Sequence, residues 1–409
     1  MSTVHDVDDS VSMHPVAPLL TPGFAALLLT WFLLGLTIAP ARPLLPVYVD
    51  AVLHRPPLFT STLLTAQLAC GALGAIVGGG VADAFGRKTT LLLGSLSGPL
   101  SAALFLTQSA WLMIVLSLSI GILSSVQTIG GQTYLMGAVR QVRLGFAAAL
   151  FFIGSTLGTS VGNFIAAPVL DRWGFHAVAI AMLSTSAVVL LGTGLGLPQQ
   201  AAPTVVRQTF KGTLAGYRQV IRRREVQLLV GLRLLTTMYW GMATLLVPLL
   251  LYRASGLPST AARYSGVSLA LAASCQLLTG RLADQHGRKR PAIVLTVLIT
   301  ITALLTGVFA VSVPGLYLCG VLGACAAWSL STLMPGLIKD VSETGEEGRT
   351  LALTHLIWST AMLLGSLAGG WLVTYSSSLP FLLIGAVNIV SVLLAVALLP
   401  DRRSSLIGT

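Results

Sequence analysis

Apolar residues run along this chain in stretches of about twenty or more, broken by short polar turns, without the two-residue alternation of a half-buried strand. Residues 89–139 contain no Asp, Glu, Lys or Arg, and neither do residues 350–400. A helix needs about 20 apolar residues to cross the hydrocarbon layer, so each of these runs holds two crossings. They reverse in polar turns, at Thr107-Gln108-Ser109 and Ser376-Ser377-Ser378. Applied throughout, the pattern predicts spans near 22–48, 58–82, 89–107, 111–138, 144–169 and 175–197, then 226–252, 261–284, 291–311, 314–337, 350–374 and 379–399. Pro40, Pro43 and Pro46 interrupt the first span and Pro248 the seventh, which are therefore expected to be the least regular. The fold class is an all-α polytopic membrane protein of twelve transmembrane helices. Two six-helix bundles, 22–198 and 226–400, are expected, with an amino-terminal arm over 1–21, a polar linker over 199–225 and a tail over 401–409.

Composition removes several function classes. Hydrophobic residues make up 55% and charged residues 9% of the chain, whereas a water-soluble surface takes about a quarter charged residues. That excludes a soluble enzyme. Cys70, Cys275, Cys319 and Cys325 all fall in apolar runs and form no CxxC or His/Cys pattern, so they read as packing residues, and no metal or cofactor is expected. The net charge of +11 does not point to nucleic acid, because the basic residues cluster between spans without aromatic interleaving. Their distribution reports topology. One side receives eighteen of the 24 Lys and Arg residues, including Arg207, Lys211, Arg218, Arg222, Arg223 and Arg224 of the linker; the other receives Arg55, Arg172, Arg253 and Arg263. The linker and both termini are accordingly expected in the cytoplasm, in a multi-pass inner-membrane protein. The linker is expected to carry a short amphipathic helix at the membrane surface. Residues 1–21 lack the basic n-region of a signal peptide.

The chain also repeats itself. Gly79, Asp83, Gly86, Arg87 and Lys88 in the loop after the second span return as Gly280, Asp284, Gly287, Arg288 and Lys289 after the eighth, 201 positions later. An interval of half the chain marks a duplicated half-protein. With these loops the chain resembles the major facilitator superfamily, whose pattern G-x-L-A-D-R-x-G-R-K is matched at those positions. Val81 stands for its Leu and Ala84 for its first Arg. The loop chemistry is readable from the residues: the glycines permit close approach and a tight turn, and an Asp can accept from the free N–H groups at a neighbouring helix N-terminus. The resemblance implies that Asp83, and Asp284 in the other half, latch the halves in the outward-facing state. A basic turn that only sets topology is the alternative reading. The glycines Gly145, Gly154, Gly158 and Gly162 follow the spacing of the antiporter motif, with Thr159 and Asn163 departing from it, and read as close helix packing.

Ionisable and aromatic residues inside spans are the binding candidates. Arg42, on the interrupted first helix, either lines the central cavity or snorkels to the headgroups; Arg233, in the seventh span, carries the same two readings. Gln127, Gln132, Tyr239 and Trp240 complete a candidate substrate cavity. No Asp or Glu lies mid-span, and Gly121 stands where the fourth-helix Arg of the drug antiporters is expected, which leaves Asp50 and His355 as candidate proton carriers. The resemblance to the twelve-helix drug/proton antiporter branch implies a monomeric secondary transporter exporting small organic or drug-like compounds, with protons as the candidate coupling ion. A transporter of a small anionic metabolite held by Arg42 is the alternative, and a non-transporting sensor on the same fold a remote one. No HExxH, GxxxxGK[ST] or paired intramembrane aspartates support an enzyme.

Overall fold

A computed structural model describes residues 21–139, 144–200, 220–343 and 347–398, and in that part the ordered elements are helices. They are α1 (Pro22–Ile38), α2 (Ala41–Ala51), α3 (Pro57–Phe85), α4 (Arg87–Ser95), α5 (Ser97–Ala103), α6 (Ala110–Ala138), α7 (Leu144–Gly196), α8 (Arg224–Ser255), α9 (Ser259–His286), α10 (Lys289–Val308), α11 (Val313–Val341), α12 (Glu347–Leu372) and α13 (Leu379–Leu398). Eight segments of the described residues are long and apolar enough to span a membrane alone. One of them, 150–196, is broken at Gly174, whose φ of 74° opens a turn between two lengths of helix. With α3, the α4–α5 pair and α12, the described helices correspond to the twelve expected spans.

The breaks have local causes. Pro40 cannot donate to the Leu36 carbonyl and Pro99 cannot donate to that of Ser95, and the helix divides at Ala39–Pro40 in the first case and at Leu96 in the second. The break within the third span was not anticipated. The seventh span, by contrast, continues as one 32-residue helix through Pro248. The Thr244 hydroxyl, one turn earlier, donates to the Trp240 and Gly241 carbonyls, one of the side-chain adjustments that let membrane helices tolerate proline. Ser109 and Ser312 cap α6 and α11 by accepting from Leu112 N and Gly315 N, ending the turns before them.

Helix pairs recur. α1 packs on α7 as α8 packs on α12, and α3 on α6 as α9 on α11. Glycine makes the first pair of contacts close: a Cβ at Gly158 would meet the Phe32 carbonyl, and one at Gly365 the Met238 carbonyl. Gly121 sits against the Gln67 backbone, so α6 meets α3 where no larger side chain fits.

The two groups of helices meet through α2 with α8, α7 with α9, and α3 with α12. Asp50 and Arg253 form a forked ion pair of 2.6 and 3.2 Å, Asp171 and Arg263 pair at 2.6 Å, and Ser160 donates to the Gly266 carbonyl at 2.8 Å. Gly370 packs on Ser61 and Pro57. These polar contacts all lie toward the end remote from the repeated loops. At the loop end Arg87 donates to Gln200 at 3.1 Å, Arg288 pairs with Asp340 at 2.7 Å and Arg223 with Glu343 at 2.9 Å, each within its own group of helices. The end remote from the loops is thus fastened by these ties.

Candidate functional site

Halfway along the carboxy-terminal helices, α8, α10, α11 and α12 leave a recess of about 410 Å³, its open mouth included. Arg233, Thr236, Thr237 and Trp240 enter it from α8, Ile299 from α10, Trp328 and Ser331 from α11, and Trp358 from α12. Arg233 is nine residues into α8, about 13 Å from its start. Its Nη1 donates to the Ser331 hydroxyl at 3.1 Å, and among the described residues no carboxylate lies within ion-pair distance of it. A guanidinium held by a neutral hydroxyl keeps a full positive charge available to whatever enters.

Three of the chain's seven tryptophans line this space. Trp240 and Trp328 meet edge to face at 6.1 Å, and His355 stacks on Trp358 at 5.9 Å, close enough to Arg233 for their charges to interact. The Trp328 carbonyl accepts from Gln276 Nε2 at 3.4 Å, which ties α11 to α9 beneath the ring. The Trp328 Nε1 is buried and has no hydrogen-bond partner among the described residues. An apolar wall with a few convergent polar groups is the usual make-up of a small-molecule site.

The other candidates are dispersed. Gln127 is buried and accepts from the Ser97 hydroxyl at 2.8 Å, while a Cβ at Gly94 would meet its backbone, so it belongs to the packing of α6 on the third span and not to a cavity wall. Tyr239, one residue before Trp240, is fully buried against Gly323 and Thr302 and is not among the recess residues. Gln132 is half-buried on α6, away from the recess. Arg42 keeps accessible surface although protein atoms surround it, which fits a side chain reaching into the space between the two groups of helices. Asp50 is committed to Arg253. The side chains of Asp83 and Asp284 lie outside the described residues, and the expected latch contact with them. Arg87 and Arg288, in contrast, take matching positions: Arg87 covers Gly137 on α6, and Arg288 covers Gly336 on α11, to whose carbonyl it donates. Trp358 was missed in the sequence, although the i, i+3 pair His355 and Trp358 sets an imidazole and an indole on one helix face.

Three comparisons bear on this arrangement. The family model described as Major Facilitator Superfamily matches residues 23–275 and 264–407. The quinolone resistance protein NorA of Staphylococcus aureus (strain MRSA252) is 28% identical over 129 residues, 31% of this chain and 32% of that protein, so the chain matches about a third of that relative's length. Among solved structures, the nucleoside transporter NupG superposes with a TM-score of 0.78 at 13% identity over 92% of this chain and 100% of that one. A POT family transporter in complex with 5-aminolevulinic acid superposes at 0.75 with 13% identity, over 92% and 95%. At such identities the likeness speaks for the fold. With the duplicated loops, the recurring helix pairs and a family match along nearly its whole length, the chain belongs to the Major Facilitator Superfamily and is a transporter, not an enzyme.

Proposed function

We propose that this transporter exports small aromatic, drug-like compounds from the cytoplasm by alternating access, binding them in the recess of Arg233, Trp240, Trp328 and Trp358. The observation that carries the reading is the pairing of a fastened end with an accessible midway recess: Asp50–Arg253 and Asp171–Arg263 join the two groups of helices at one end, and the aromatic recess lies beyond them. A substrate that prefers the opposite closure shifts the equilibrium by its difference in affinity for the two states. The excess of cations at the loop end supports a cytoplasmic position for that end, for the linker and for both termini. Two six-helix units, 22–198 and 226–400, would then rock about the recess in a monomer. Partial likeness to a quinolone resistance protein supports outward movement of aromatic compounds.

Coupling to protons is part of the same reading. With Asp50 engaged by Arg253, His355 is the group that would carry the proton, stacked on Trp358 beside the recess. Proteoliposomes loaded with a fluorescent aromatic dye test the reading: an imposed pH gradient should accelerate dye movement, Trp328→Ala should slow it about tenfold or more, and His355→Gln should remove the response to the gradient. Equal flux with and without Trp328 ends the recess reading; gradient-independent flux in the parent protein ends the coupling.

A further inference from the structure

We propose that the recess selects aromatic anions: planar ring compounds carrying a carboxylate or an equivalent oxyanion, whose charge is taken by Arg233. The inference deepens the reading that this recess is the transport site, and rests on it. A drug exporter that takes cations would present carboxylates in its recess, yet the recess walls carry one guanidinium and no acid. The charge of Arg233 stands in apolar surroundings, where a lone ion is costly unless it is paired or hydrated. Its hydrogen-bond partner among the described residues, Ser331, accepts a hydrogen bond and brings no negative charge. An incoming oxyanion supplies that charge, and the planar guanidinium can grip it with two parallel hydrogen bonds.

One further donor converges. Because the Ser331 oxygen accepts from Arg233 Nη1, its own hydroxyl proton remains free to point at a second acceptor. The Nε1 of Trp328 is buried away from accessible space, so that residue meets a ligand through its ring. The recess thus offers donors and no acidic acceptor, and its remaining wall is indole. Tryptophan faces hold flat rings by stacking and edge contacts. Arg42 is a different case: it lies at the start of α2, nine residues from the fastened end of that helix, and is not among the recess residues.

The experiment uses three probes with one ring system and different charge: 2-naphthoate, 2-naphthamide and 2-naphthylmethylammonium. Binding to the full-length protein in lipid nanodiscs is measured by calorimetry, with empty nanodiscs subtracted. Naphthoate is expected to bind about tenfold or more tightly than the amide, as a charge-assisted hydrogen bond implies, with the ammonium weaker still. Arg233→Gln should bring naphthoate down to the level of the amide. Arg233→Lys should keep part of the preference, having the charge without the fork. Arg42→Gln should leave the preference intact. Amide or ammonium binding as tightly as naphthoate in the parent protein overturns the proposal, and needs no variant to fold. So does a preference that survives Arg233→Gln or disappears with Arg42→Gln. Trp328→Ala separates the two levels: it should weaken all three probes together, and if it changes none of them the recess itself is not the binding site, whatever the order of the probes.

Discussion

Trp31 and Trp240 stand on corresponding helices, the first of each half, yet they do opposite things. Trp31 stacks on Phe151 at 4.2 Å, presses against Gly131 and is 7% exposed; Trp240 meets Trp328 edge-on beside open space. The fourth helices differ in the same way. Gln127 and Trp328 lie 201 positions apart, the interval between the repeated loops, but Gln127 is satisfied inside its own bundle by Ser97, whereas Trp328 walls the recess with its Nε1 unpaired. Duplication preserved the helix contacts, and substitution within that frame put a packed amide at one position and a recess-lining indole at its counterpart. A shared scaffold therefore fixes where a site can be, and side-chain chemistry decides which half holds it.

That contrast can be broken most forcefully at the tryptophans. Trp31→Ala should destabilise the protein by about 3–5 kcal/mol, the usual cost of emptying a packed aromatic site, while Trp240→Ala, at a half-exposed position, should cost much less in stability and more in dye binding. Thermal unfolding of both variants checks this, and equal destabilisation would dissolve the distinction between the packed and the recess-lining ring. The shared frame predicts the reverse for glycine. Gly158→Val and Gly365→Val each drive a side chain into a neighbouring backbone carbonyl, and both should lose about 1–3 kcal/mol or more, by similar amounts. Strongly unequal losses would show that the corresponding contacts are not equivalent.

A smaller effect is expected at the fastened end. Asp50 and Arg253 are partly solvated, with side-chain exposures of 22% and 37%, so their pair contributes about 0.2–1 kcal/mol in spite of its forked geometry. Asp50→Asn should then raise the population open at that end by up to about fivefold. A reporter cysteine at Leu64→Cys, which packs between the two groups of helices, would be labelled faster, in a background where the four native cysteines are replaced. The latch reading of the repeated loops predicts the opposite sign with the same reporter: Asp83→Asn should slow its labelling, and an unchanged rate removes the latch.

The two groups of helices also differ in how far they could be read beforehand. The spans followed from hydropathy because a bilayer demands long apolar runs whatever packs beside them, and the turn at Thr107-Gln108-Ser109 announced itself by its polar residues. The site was less legible. Arg233 and Trp240 stood out as a charge and a ring inside a span, but Gln127 and Tyr239 carried the same polar and aromatic signals and face packed interiors. In a membrane helix apolar residues surround the axis on every side, so no stripe reveals which face looks inward.

By itself the sequence determined the course of the apolar spans, the duplication and the family resemblance, because lipid imposes length and apolarity locally and a repeat is visible in the letters. Only the tertiary structure decided that Asp50 answers Arg253 203 positions away, that Gln127 is spent on Ser97, and that Arg233, Trp328 and Trp358 share one recess. Those are matters of rotation about each helix axis and of which helices touch, and glycine contacts distributed along four different helices set them together.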